Sequence, residues 1–127
     1  TDAARKVSLS ERYMSFAVGS LSGGNQQKVL LARALMTGSK TLVLFDPARG
    51  VDVGTKQAIY AMMRDFVATG GAILFYSSEL SELVNLSSRC LVMYGGRIVA
   101  NVPHSEISEE TLLAAAHGRV DAAKLVA

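Results

Sequence analysis

The run Leu21-Ser22-Gly23-Gly24-Asn25-Gln26-Gln27-Lys28 constrains this chain more than any other stretch of it. A serine and two glycines stand directly before a helix-forming segment. Its spacing predicts a helix from about Asn25 to Met36, with Val29, Leu30, Ala32, Leu35 and Met36 as the apolar stripe. Ser22 is a good N-cap, because its hydroxyl can accept from the unpaired N–H groups of the first turn. Gly23 and Gly24 carry no Cβ, so a ligand can approach the bare backbone closely. A helix N-terminus with open N–H groups and a positive dipole end suits an anion, phosphate above all. Ser-Gly-Gly alone is ordinary loop chemistry and would serve a capped surface helix. The full octapeptide is far more restrictive.

These residues resemble the signature motif of ATP-binding cassette (ABC) ATPases. The Asn25-Gln26-Gln27-Lys28 ending is similar to the version in the second cassette of monosaccharide-import ATPases. The resemblance implies that Ser22, Gly23, Gly24, Asn25 and Gln26 contact the γ-phosphate side of an ATP held by the opposite cassette of a dimer.

A second segment follows at compatible spacing. Thr41-Leu42-Val43-Leu44-Phe45 is a short continuous apolar run, the pattern of a strand buried on both faces of a parallel sheet. Asp46-Pro47 ends it. Carboxylates at the C-terminal edge of parallel strands are where α/β folds place ligand chemistry. On its own, Asp-Pro would be no more than a strand-ending turn. The stretch Asp46-Pro47-Ala48-Arg49-Gly50-Val51-Asp52-Val53-Gly54 resembles the Walker B end and D-loop of the same family. The family pattern is four apolar residues followed by Asp-Glu-Pro-Thr. Anchored on Pro47, Asp46 takes the catalytic glutamate position and Phe45 the Mg²⁺-site aspartate position. Anchored on the apolar run, Asp46 becomes the Mg²⁺ ligand and the glutamate is deleted. The first register matches Pro47 through Gly54 without a gap, and either one lacks an acidic group. Asp52 matches the D-loop aspartate, which the family directs across the dimer interface; it also suits the cap of the next helix.

That helix is predicted from about Thr55 to Ala68, with Ile59, Met62, Met63, Phe66 and Val67 on one face. Ala72 to Tyr76 reads as a second buried strand, and strand–helix–strand implies a right-handed crossover with parallel pairing. Ser77-Ser78-Glu79-Leu80 resembles the switch segment, with Ser78 where the family usually has histidine. Serine can hydrogen-bond a phosphate but is no base near neutral pH. Ser78 equally suits the N-cap of a helix over 79–86. Arg89 to Tyr94, Gly95-Gly96 and Arg97 to Ala100 read as a β-hairpin. Glu106 to His117 reads as a last helix, with Ile107, Leu112, Leu113 and Ala116 facing inward.

The fold expected is α/β: part of a P-loop NTPase core, mostly parallel sheet with flanking helices and a closing hairpin. Residues 1–20 are expected to be a partly helical lead-in, the end of a helical subdomain. Residues 21–118 are the C-terminal part of a nucleotide-binding cassette and 119–127 a tail. No Gly-x-x-x-x-Gly-Lys-Ser/Thr occurs in the 127 residues, so the loop that cradles β- and γ-phosphates is missing from this sequence. The chain alone is therefore expected to be inactive, although the family hydrolyses ATP.

The bulk numbers narrow the partners. Net charge is +2, without the basic footprint that nucleic acid requires. Cys90 is the single cysteine and reads as a buried apolar residue, so no disulfide framework exists. His104 and His117 stand apart from any ligand cluster. The longest apolar runs are too short to cross a bilayer and no signal pattern opens the chain, so membrane association would come through a partner at the inner face. The resemblance implies ATP and Mg²⁺ as cofactors. It implies a second cassette and a transmembrane permease as partners, with a sugar-binding protein acting indirectly. A soluble ABC-type ATPase unconnected with transport, and a non-enzymatic interaction module, are the competing readings.

Overall fold

The computed structural model describes residues 2–119, which fall into two units that divide between Ser78 and Glu79. The first unit runs through helix α1 (Asp2–Lys6), helix α2 (Gly23–Met36), strand β1 (Thr41–Phe45), helix α3 (Val53–Ala68) and strand β2 (Ala72–Tyr76). Single 3₁₀ turns at Glu11–Tyr13 and Val18–Ser20 link α1 to α2. The second contains helix α4 (Leu80–Leu86), strands β3 (Arg89–Tyr94) and β4 (Arg97–Pro103), a 3₁₀ turn (His104–Glu106) and helix α5 (Glu109–Ala116).

In the first unit β1 and β2 pair in parallel, from Thr41 opposite Ala72 to Phe45 opposite Tyr76. The strands alternate rather than being covered on both faces. Leu42 and Leu44 are buried, whereas Val43 and Phe45 are each 76% exposed and Leu74 and Tyr76 also face outward. The expectation of two-sided burial is corrected accordingly. A continuous apolar run fits covered strands, but α3 packs on one face of β2, and among the described residues the Val43–Phe45 face stays open. There the rings of Phe45 and Tyr76 stack at 4.5 Å between centroids. The core consists of Ala4, Val7 and Leu9 from the lead-in, Leu21, Leu31 and Ala32, the two inward β1 leucines, Ala48, and Ile59, Met62 and Met63 of α3.

Helix α2 begins two residues earlier than predicted and turns a different face inward. Gly24, Leu31 and Ala32 are buried, while Leu30 and Met36 are exposed at 53% and 68%. Hydrophobicity favoured the larger residues. The rotation instead follows the small one, Gly24, which lies at the same face as Leu31 seven residues on. The predicted face of α3 holds for Ile59, Met62 and Met63, whereas Val67 is half exposed.

In the second unit β3 and β4 form an antiparallel hairpin closed by Gly95 and Gly96, at φ +55° and +76°. Positive φ at both central residues is what a two-residue turn with native twist requires. Cys90, Val92, Ala100 and Val102 line one face against Leu112 and Ala115 of α5, and Cys90 is a buried free thiol. The last helix is shorter than expected. Ser108, its N-cap, accepts from the Thr111 N–H at 3.0 Å, and this capping signal marks the true start at Glu109. Leu112 and Ala115 face inward, whereas Leu113 and Ala116 do not. Of the tail expected over 119–127, all but Arg119 lies outside the described residues.

Ile59 is 1% exposed and at the centre of the α3 contact. Ile59→Ala should cost about 2–5 kcal/mol in urea unfolding followed by circular dichroism, whereas Val67→Ala at the half-exposed end of the same helix should stay within about 0.5 kcal/mol.

Candidate functional site

The two glycines ahead of α2 do different things. Ser22 sits at φ −60°, ψ 154° and caps the helix, its Oγ accepting from the Asn25 N–H at 3.4 Å. That is long for a hydrogen bond of this type. The first turn therefore keeps donors that the helix itself cannot satisfy. Ser22 and Gly23 face solvent, and a Cβ built on Gly23 would meet nothing within 4 Å. Gly24 is buried, and a Cβ there would stand 2.9 Å from Thr55 Oγ1 and 3.2 Å from its Cγ2. Bare backbone at Gly23 is open to a ligand. At Gly24 the missing Cβ makes room for Thr55, a packing role that the sequence reading did not include.

The polar residues of the motif turn partly inward. Gln26 Nε2 donates to the Leu21 carbonyl at 2.8 Å and the Gln26 N–H to the Ser22 carbonyl at 2.9 Å. This folds the Leu21–Ser22 corner onto the helix start. Lys28 Nζ donates to the Ser8 carbonyl at 3.1 Å, tying α2 to the lead-in. Asn25 is half-buried.

Asp52 caps α3. Its Oδ1 accepts from the Thr55 N–H at 3.0 Å and its Oδ2 from the Thr55 hydroxyl at 2.8 Å. The backbone hydrogen bond from Thr55, then the hydroxyl of the same residue, hold the carboxyl below its ordinary value of 3.8. Sequence reasoning named Asp52 and missed Thr55. The available signal was the Asp-x-x-Thr spacing at a helix start, which places a hydroxyl and an N–H over one carboxylate.

Asp46 follows β1 in the left-handed region at φ +46°. Aspartate tolerates that region better than most residues, and such conformations cluster at functional sites. Its N–H donates to the Tyr76 carbonyl at 2.9 Å, extending the β1–β2 ladder by one rung. Its side chain is 8% exposed, with Oδ1 accepting from the Ser78 N–H at 2.7 Å and Oδ2 lying 3.9 Å from Arg49 Nη1. Ser78 is thus brought to Asp46 through its main chain. It is not the cap expected for the following helix: Glu79 takes that position, its side chain making no capping hydrogen bond, and α4 starts at Leu80. Pro47 and Ala48 are buried directly after Asp46.

Two groupings result, Gly24–Thr55–Asp52 and Asp46–Ser78–Arg49. Phe45, the alternative metal position, is an exposed aromatic residue that cannot ligate. Among the described residues no three His, Cys, Asp or Glu side chains cluster to hold a metal ion. Mg²⁺ needs only one or two protein carboxylates beside water and phosphate. Among the described residues Asp46 is the candidate; its carboxylate accepts from the Ser78 main-chain N–H and lies 3.9 Å from the exposed Arg49 guanidinium. Asp46 is the residue that would hold Mg²⁺ beside water and phosphate, its carboxylate keeping acceptor capacity after one main-chain hydrogen bond, and no chemistry is routed through a metal here. Among the described residues no helix is long and apolar enough to cross a membrane.

Two outcomes are expected from this geometry. Thr55 is β-branched, buried and hydrogen-bonded, so it yields little when crowded. Gly24→Ala should therefore cost about 1–3 kcal/mol in chemical unfolding, with Gly23→Ala changing stability by less than ~1 kcal/mol. The lowered pKa of Asp52 adds stability that is complete above the ordinary value of 3.8 and fades as pH falls through the lower folded-state value. Asp52→Asn keeps a capping oxygen and should flatten the stability–pH curve below about pH 4, read as melting temperature against pH.

No family model matches the chain. Curated relatives do. A ribose import ATP-binding protein (RbsA 2) of Streptomyces avermitilis is 45% identical over 121 residues, 95% of this chain and 24% of the relative. One (RbsA 1) of Mesorhizobium japonicum is 48% identical over 103 residues, 81% of this chain and 20% of the relative. The chain spans about a quarter of the length of such relatives. Solved structures agree in fold. A nucleotide-free ATP-binding cassette from an ABC transporter superposes with a TM-score of 0.76 at 31% identity, over 89% of this chain and 44% of that one. Another transporter cassette, in its ADP conformation, gives 0.74 at 30% identity, over 88% and 44%. The signature-like run, the aspartate closing a parallel strand and these likenesses agree: the chain belongs to the ATP-binding cassette ATPases and makes up part of one cassette.

Proposed function

We propose that this chain supplies the signature face of a composite ATP site in the ATP-binding subunit of a monosaccharide importer. Residues 21–118 are the C-terminal part of its nucleotide-binding cassette, and 1–20 the end of a helical subdomain. The observation that carries the reading is the solvent-facing Ser22–Gly23 corner at the head of a 14-residue helix, loosely capped and open at the position where a Cβ would stand. Unsatisfied N–H groups and the positive end of the helix dipole would meet the terminal phosphate of an ATP clasped by a second cassette. The Ser22 hydroxyl and the half-buried Asn25 flank that corner. Gln26 braces it from behind, and Asp52 stands on the neighbouring helix start. Pre-placed donors of this kind act where charge develops in phosphoryl transfer.

The Asp46–Ser78 side belongs to a different composite site. There a carboxylate engaged by a main-chain N–H and a serine in place of a base leave no group suited to activate water. This side binds ATP and turns it over slowly, so hydrolysis is asymmetric. The 127 residues alone, without a phosphate-cradling loop, do not hydrolyse ATP. Monosaccharide specificity rests on the relatives, which are named as ribose import ATP-binding proteins. A transmembrane permease, which a sugar-binding protein supplies with substrate, holds the subunit at the inner face of the membrane.

In the full-length subunit assembled with its permease in proteoliposomes, Ser22→Arg should lower ATP turnover by about a hundredfold, the scale of losing a transition-state donor. Asp46→Asn should leave turnover within about twofold. Unchanged hydrolysis in Ser22→Arg removes the signature reading; collapse in Asp46→Asn reverses the assignment of the slow side.

A further inference from the structure

Thr55 joins two motif elements that lie about thirty residues apart in the chain. It is buried, the third residue of α3, and its side chain faces both. Toward the loop, its hydroxyl donates to Asp52 Oδ2 at 2.8 Å and its N–H to Oδ1 at 3.0 Å. Toward α2, the same hydroxyl oxygen and the Cγ2 methyl occupy the space a Gly24 Cβ would need, 2.9 and 3.2 Å away. One hydroxyl thus has its proton committed to Asp52 while its oxygen abuts the backbone of the helix start. A threonine with both hydrogen bonds made has one χ1 setting, and a glycine opposite has no side chain to give way. Displacement of Asp52 therefore displaces the wall on which the second residue of α2 rests.

We propose that Thr55 is a positioning residue that makes the Asp52 carboxylate and the first turn of α2 move as one body. This deepens the reading above and rests on it for its functional consequence. Ser22 and Gly23 protrude from the same turn that Gly24 seats. Their placement toward a phosphate is thereby linked to whatever Asp52 meets. Misplacement of about an ångström is enough to cost a large factor in a positioned reaction. The hydroxyl matters here, not only the volume. Valine preserves the shape and removes the hydrogen bond; serine preserves the hydrogen bond and removes the methyl.

The test has two arms. In the ¹⁵N-labelled chain at neutral pH, Asp52→Asn should displace the Gly24 amide resonance beyond its linewidth. That displacement should vanish in a Thr55→Val background and persist in a Thr55→Ser background. A merely structural threonine would change melting temperature without changing this transmission. Thr55→Ala repeats the comparison if the valine variant does not fold. In the full-length subunit with its permease, Thr55→Val should lower kcat about tenfold with KM for ATP within about twofold, and Thr55→Ser should restore kcat. Persistence of the Gly24 displacement in the Thr55→Val background, or its absence in the wild type, overturns the proposal. Unchanged turnover in Ser22→Arg instead removes the ATP reading, so the two fail separately.

Discussion

The seating of Gly24 against Thr55 is the contact from which the rest of the first unit takes its orientation. A glycine in the first turn lets α2 approach the start of α3 more closely than any side chain would permit. That approach turns Gly24, Leu31 and Ala32 inward. It leaves Ser22 and Gly23 outside, where the cap is loose and the backbone bare. The orientation of a candidate phosphate-binding corner thus follows from van der Waals contact on the opposite side of the same turn. Asp52 supports the contact from below by holding the threonine through two hydrogen bonds.

Asp46 shows a different use of a carboxylate. The chain leaves β1 in a left-handed conformation and immediately buries Pro47 and Ala48. Its side chain then reaches across the strand pair to the main chain of Ser78. The ends of β1 and β2 are tied at three points: the last ladder pair, the Asp46 N–H on Tyr76, and the carboxylate on Ser78. A carboxylate so engaged is a structural clasp first.

The apolar surface left exposed is also informative. Val43, Phe45, Leu74 and Tyr76 share the open face of the parallel pair, and Met14, Phe16 and Val18 project from the lead-in. An alternating strand with large apolar residues on its outward side is unusual where that side meets water. The chain spans about a quarter of the length of its relatives, and an uncovered sheet face accords with a part of a larger fold.

Much of this molecule could be read before any coordinates. The strands, the crossover helix, the hairpin and the signature-like octapeptide follow from local chemistry: continuous apolar runs, helical spacing, paired glycines and a serine cap. These are properties of neighbours in sequence, and neighbours in sequence are what such a reading sees. Which face of α2 is buried, why Gly24 differs from Gly23, and why Ser78 serves Asp46 and not the next helix were decided by tertiary contact. Each depends on a partner 31 or 32 residues away, Thr55 for Gly24 and Asp46 for Ser78. Hydrophobicity ranks side chains by size and polarity, so it could not foresee that a glycine of the first turn would face inward against Thr55.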